Sequence, residues 1–244
     1  MPKPGFGMPR ELRPILATVP KTDEVLTAVI SRLRLDEVRP DQIEANFQEV
    51  LEEMMREGLR VLDEAQVSVV RDLVALYREV DDSDPRKALL LLTKGFTSIG
   101  NQRKKRAGVH MEKCLRYLFS RCSIPCEVGT AISGHSDIIV PDEKTLKSWP
   151  ERAVVVESKR TIRERWKEVR DEIARTGLKV WLVTLDDLIS SDLAVQIASG
   201  NITLYVPKAI ARALKAHEGR VRSLSDLIRD LRVFVSLHGS PPPV

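Results

Sequence analysis

The sequence lacks the features that would place it in a membrane, a secretory pathway or a zinc-bound scaffold. Its 244 residues hold three cysteines, Cys114, Cys122 and Cys126, an odd set with no C-x2-C pair, and its four histidines stand at no zinc-finger spacing. That argues against a disulfide framework and a structural zinc site and leaves reduced thiols. No segment approaches the roughly 20 apolar residues of a membrane span. The opening Met1-Pro2-Lys3-Pro4-Gly5 has no apolar run of the kind a signal peptide needs. A cytoplasmic protein without membrane contact is therefore expected. No internal repeat is visible. A large excess of one charge is missing too: 39 Lys plus Arg against 35 Asp plus Glu leave a net +4, which points to nucleic acid only weakly.

The distribution of those charges says more than their sum. From Glu44 to Asp82 eleven acids face four bases, whereas Arg103-Lys104-Lys105-Arg106 is a block of four cations, and Lys159 to Arg170 carries six cations against two acids. A chain polarised in this way offers one part to phosphates and holds the other away from them. Its 43% hydrophobic content is enough for a sizeable core.

Along the chain, residues 1 to 20 are rich in proline and read as an extended arm. Helical spacing begins at Thr22 with Val25, Val29 and Leu33, and Pro40 breaks it. Asp41 to Leu62 is the clearest helix, with Phe47, Leu51, Met54, Gly58 and Val61 on one stripe and acids on the other. Ala65 to Val80 and Arg86 to Thr93 follow as helices. Gly95 to Gly108 reads as a polar, basic loop that opens a helix from Val109 to Cys122. The N-terminal end of such a helix favours anions, so Arg103 and Arg106 are candidate phosphate contacts. Beyond Pro125 strands and helices alternate: Cys126 to Ile132, Gly134 to Val140, Ala153 to Lys159, Lys179 to Leu185 and Ile202 to Val206 are the expected strands. This predicts an α/β fold, a mixed five-stranded sheet flanked by helices, preceded by an N-terminal helical region. The division is expected near residue 94, with a helical scaffold over 1–94 and the α/β core over 95–244.

The most uneven stretch runs from Ala153 to Trp166, where an apolar run passes directly into alternating carboxylates and cations. On a strand, alternate side chains share a face, so Glu157 and Lys159 point the same way. Burying both is costly unless they pair with each other or with a metal. Asp137, heading Ile138-Ile139-Val140, lies on a separate strand twenty-two positions before Lys159. Glu172 follows Lys159 by thirteen positions, on a helix predicted from Arg163 to Thr176 whose inward stripe is Trp166, Val169 and Ile173. If the two strands pair, Asp137, Glu157 and Lys159 converge as carboxylates able to hold Mg²⁺ beside a lysine able to act on the attacking water. The plainer alternative is an edge strand with a surface Glu157–Lys159 pair.

This constellation resembles the PD-(D/E)XK nuclease superfamily. More narrowly, Lys159-Arg160-Thr161-Ile162-Arg163-Glu164-Arg165-Trp166 is similar to the signature of type II restriction endonucleases related to PspGI and the catalytic domain of EcoRII. The likeness covers roughly residues 95 to 210. It departs at Ser136, where those enzymes usually carry proline before the metal aspartate. The resemblance implies a restriction-endonuclease-like sheet with Asp137 and Glu172 as Mg²⁺ ligands, Glu172 standing on the helix where the wider superfamily uses the Glu157 position. It also implies Lys159 as the catalytic lysine and Glu112 as a supporting carboxylate, with a surface glutamate as the alternative at that last position. Arg163, Glu164 and Arg165 would read DNA bases: arginine is bidentate to guanine O6 and N7, and glutamate accepts from cytosine N4. A homodimer on double-stranded CCNGG or CCWGG sites, extrusion of the central bases and a cognate DNA methyltransferase in the host complete what the resemblance implies. The rival readings are another nuclease of the superfamily, for repair or junction resolution, and a DNA-binding protein that keeps the fold without turnover.

Overall fold

A computed structural model of the chain describes residues 9–80, 84–129, 137–162, 171, 177–198, 202–214 and 220–238. Its Cα positions divide into two compact units, one made of residues up to Leu33 together with Arg56–His110, the other of Arg34–Met55 with everything from Met111 on.

Helices dominate the first half. They are α1 (Leu12–Ala17), α2 (Thr22–Arg32), α3 (Pro40–Ala45), α4 (Phe47–Arg78) and α5 (Pro85–Arg121). The arm expected over residues 1 to 20 thus contains a helix, and its Pro14 sits in the first turn, where no intrahelical N–H bond is needed. Two further expectations fail together. The break placed between Leu62 and Ala65 does not exist, and neither does the loop from Gly95 to Gly108, because α4 and α5 run through both. With no helix beginning at Val109, the basic cluster stands mid-helix and has no helix terminus behind it. The expected division at residue 94 lies inside this same helix.

Of the glycines bounding the expected loop, Gly95 answers to packing in the first unit, as does Gly58 on the expected helical stripe, whereas a Cβ on Gly108 would meet nothing within 4 Å among the described residues. A Cβ on Gly95 would lie 2.7 Å from Leu73 Cδ2, and one on Gly58 would lie 2.1 Å from His110 Nε2. Glycine costs a helix interior about 1 kcal/mol relative to alanine. At these two positions that cost permits a close approach of side chains that no other residue would allow.

The second unit is built on a six-stranded sheet: β1 (Glu127–Gly129), β2 (Asp137–Val140), β3 (Val154–Ser158), β4 (Val180–Val183), β5 (Ile202–Val206) and β6 (Val221–Ser223). Its spatial order follows the sequence order. The first two pairings are antiparallel and the last three parallel, so the sheet is mixed as expected. Five strands match the expected set, and β6 is additional. It is three residues long with Arg222 at its centre and shows no apolar run that a sequence could announce.

Around the sheet stand α6 (Glu143–Ser148), α7 (Ser191–Ala198), α8 (Lys208–Ala213) and α9 (Leu227–His238). On one face Ile139, Val155, Val180, Leu182 and Leu204 pack with Ala194 and Ile197 of α7. On the other, Trp181 meets Tyr205 and the Phe234 ring of α9 at 5.2 and 5.8 Å. Period-two alternation along each strand produces this division.

Candidate active site

The run Val154-Val155-Val156 forms the middle of β3 because β-branched side chains suit a strand buried on both faces. β3 has β2 antiparallel on one side and β4 parallel on the other. It is therefore an interior strand, and the edge-strand alternative for Glu157 and Lys159 falls away.

Glu157 opposes Leu182 across β3 and β4, so it ends the face that Val155 and Leu182 contribute to the core. Its side chain is 5% exposed and that of Lys159 is 18% exposed. The Lys159 ammonium pairs directly with Glu157 Oε1, which places both side chains on the same face as the alternation required. The second oxygen, Glu157 Oε2, is buried and has no hydrogen-bond partner among the described residues. Leaving a buried acceptor unanswered costs about 1–3 kcal/mol, and more when the group is charged. A hard cation that takes oxygen ligands meets that deficit, so this carboxylate suits Mg²⁺.

Asp137 opens β2. The register Ile138↔Val156 and Ile139↔Val155, continued by one residue, sets the Asp137 backbone opposite that of Glu157. Two of the expected site positions are thus neighbours across one strand pair. Glu172, Arg163, Glu164 and Arg165 lie outside the described residues, as does Ser136 and, apart from Asp171, the expected helix from Arg163 to Thr176. Among the described residues no group of three or more His, Cys, Asp or Glu side chains is placed to hold a metal ion. The expected ligand set draws on positions beyond them.

The remaining candidates sit on α5. Glu112 is half-buried there, in the second unit. Arg103 and Arg106 belong to the first unit. Arg103 is exposed and pairs with Asp63 at 3.0 Å. Arg106 is half-buried, donates to the Val19 carbonyl at 3.3 Å and is held below its ordinary pKa by burial.

Sequence reasoning missed two residues next to the site. Thr184 and Asp186 follow β4 and are both buried. Asp186 Oδ2 accepts the Ile162 N–H and Oδ1 the Leu188 N–H, each at 3.0 Å. The Thr184 hydroxyl accepts from the Asp186 N–H at 3.0 Å and makes a long contact of 3.4 Å to the Arg160 carbonyl. The one local hint is that Asp186 bonds two residues ahead, as aspartates do in turns.

A family model described as EcoRII C terminal matches residues 77–228, more than half of the chain. The type II restriction enzyme SsoII of Shigella sonnei is 28% identical over 139 residues, a match covering 52% of this chain and 45% of that protein. The chain thus spans less than half the length of that relative. Among solved structures, metal-depleted Ecl18kI in complex with uncleaved, modified DNA superposes with a TM-score of 0.80 at 20% identity, covering 96% of this chain and 86% of that one. A complex of the restriction endonuclease PspGI with substrate DNA gives 0.73 at 19% identity, covering 92% and 96%. At such identities the likeness establishes the fold, a mixed sheet with helices of the restriction-endonuclease kind.

Proposed function

The chain belongs to the EcoRII C-terminal family, and from that premise we propose that it is a type II restriction endonuclease, hydrolysing phosphodiesters of double-stranded DNA with Mg²⁺. One observation carries the reading: a buried carboxylate at the end of an interior strand, bound to a lysine through one oxygen and, among the described residues, unanswered at the other. Core positions seldom keep that arrangement, because an apolar pair in its place is often as stable or more so.

In this reading Asp137 and Glu172 would hold the ion, with Glu157 beside them. The unanswered Oε2 favours Glu157 as a ligand in its own right. Bound Mg²⁺ supplies an acidified water and positive charge against the reacting phosphate. Lys159, oriented by Glu157, presents its ammonium to that phosphate and to the incoming nucleophile. Glu112 supports the set from α5. Residues 95–244 form the nuclease core, and residues 1–94 are a scaffold, a dimer element or a clamp on DNA.

Recognition rests on Arg163, Glu164 and Arg165 of each protomer of a homodimer. Two arginines per protomer give four bidentate forks, and a site of the form CCNGG offers four guanines, while Glu164 accepts from the paired cytosines. At about 1–3 kcal/mol per fork the set contributes on the order of 4–12 kcal/mol, enough to separate a site from bulk DNA. The central pair is left unread by these residues, and extrusion of its bases is the route to any A·T preference. Arg103 can exchange Asp63 for a phosphate; Arg106 would first have to release the Val19 carbonyl. A methyltransferase protecting the same site in the host would complete the system.

The deciding experiment incubates purified protein with plasmid DNA and Mg²⁺ and sequences the ends. Cuts at CCNGG or CCWGG with 5′-phosphates and 5′ overhangs spanning the site are expected, and Arg165→Ala should lose cutting at every such site. Ends without flanking CC and GG, or undiminished cutting once both arginines are replaced, would overturn the recognition part of the proposal.

A further inference from the structure

Between the lysine assigned to chemistry and the first arginine assigned to base reading lie only Arg160, Thr161 and Ile162. This short span is tied down backbone by backbone. The Lys159 N–H donates to the Val183 carbonyl at 2.9 Å, extending the β3–β4 ladder past the last strand residue. Next come the Arg160 carbonyl, contacted by the Thr184 hydroxyl, and the Ile162 N–H, taken by Asp186 Oδ2. Ile162 itself is fully buried in the sheet core.

Every one of these ties comes from the segment Val183–Asp186 that leaves β4. Asp186 is 7% exposed and Thr184 is 0% exposed, which is unusual for polar residues in a connection and costs desolvation unless their atoms are used. They are used: both carboxylate oxygens of Asp186 accept a backbone N–H, and its own N–H goes to Thr184. A loop needing only to turn has no call for a buried carboxylate that reaches 24 residues back along the chain.

We infer that Asp186 and Thr184 are positioning residues that fix the chain from the catalytic lysine to Ile162, the point from which the proposed base-reading segment departs, so that recognition of the correct bases is felt as correct placement of Lys159. This rests on the nuclease reading above. Neither residue touches DNA in this scheme. They hold Lys159 and the Ile162 backbone in place, and misplacement of a catalytic group by about 1 Å costs on the order of 100-fold in rate.

Substitution by asparagine keeps the volume of Asp186 but turns one oxygen into an amide donor facing the Ile162 or Leu188 N–H. Thr184→Val removes the hydroxyl and keeps the shape, and Thr184→Ser restores the hydroxyl. The experiment measures single-turnover cleavage with Mg²⁺, affinity for the specific DNA with Ca²⁺, discrimination against a site with one base pair changed, and the melting temperature. For Asp186→Asn the cleavage rate should fall about 10- to 100-fold. Affinity should fall less than the rate, and discrimination should narrow. Thr184→Val should move the same way by less, and Thr184→Ser should return to wild type. Wild-type rates and discrimination in both Asp186→Asn and Thr184→Val overturn the inference. So do losses that simply follow a fallen melting temperature, with Thr184→Ser no better than Thr184→Val. The nuclease reading has its own control: if the wild type cuts no DNA, that reading fails and this coupling goes with it. A cutting wild type, a dead Lys159→Ala and an unaffected Asp186→Asn sink the positioning role alone.

Discussion

Glu57 in the helical region and Glu157 at the end of β3 are hidden to nearly the same degree, 6% and 5% exposed. Their surroundings differ. Glu57 Oε1 accepts from Arg32 at 2.9 Å and Oε2 meets Arg60 at 3.3 Å, so each oxygen has a cation, and both arginines reach solvent. Glu157 has one cation on one oxygen and, among the described residues, nothing on the other. Burial is therefore a poor guide to function by itself. The useful quantity is how many lone pairs remain after the protein has supplied its own donors.

The comparison can be broken at four places. The largest effect is expected at Lys159→Ala, which should lower the cleavage rate by about 10²–10³-fold or more while leaving DNA binding with Ca²⁺ largely intact. Near wild-type turnover in this variant would remove the site. Next, Glu172→Ala should cost at least as much cleavage as Glu157→Ala. A fully active Glu172→Ala protein beside a dead Glu157→Ala one would make the β3 glutamate the essential ligand.

Smaller, and opposite in kind, is Glu57→Gln. It should lower unfolding stability by about 1–3 kcal/mol, read in urea, without touching the cleavage rate per folded molecule. A lowered rate at unchanged stability would mean that a satisfied carboxylate can also serve the chemistry. The last test concerns groups that are hidden and carry no charge at neutral pH. Burial pushes the Cys114 thiol up to about 12 and, with Glu44 nearby, Cys122 up to about 11, from an ordinary value of 9.0. The unfolded chain loses these protons first as pH rises, so stability should be flat below about pH 9 and fall above it. Cys114→Ala should flatten the alkaline fall; an unchanged slope would discard the thiol explanation.

The parts of the molecule that the sequence revealed are those governed by local periodicity. Alternation along Ala153 to Lys159 placed Glu157 and Lys159 on one face, and they are found as a pair. Apolar runs located five strands. Where tertiary contact overrides local preference, the reading failed. Gly95 has the chemistry of a chain break, but it stands inside a long helix against Leu73, a side chain distant in sequence. Asp186-Asp187 has the look of a solvated turn, and only a partner 24 residues upstream turns Asp186 into a buried tether. β6 is too short, and too polar at Arg222, to leave a signal at all.

The in-order sheet bears on how specificity could be exchanged between relatives. The stretch proposed to read bases is one uninterrupted piece of chain between the third and fourth strands, entered at Ile162 and left at Val180, and both of these residues are fully buried in the same core cluster. A graft of the corresponding piece from a homologue of different target preference should therefore keep Ile162, Val180, Thr184 and Asp186, together with Leu178, which packs against the same cluster.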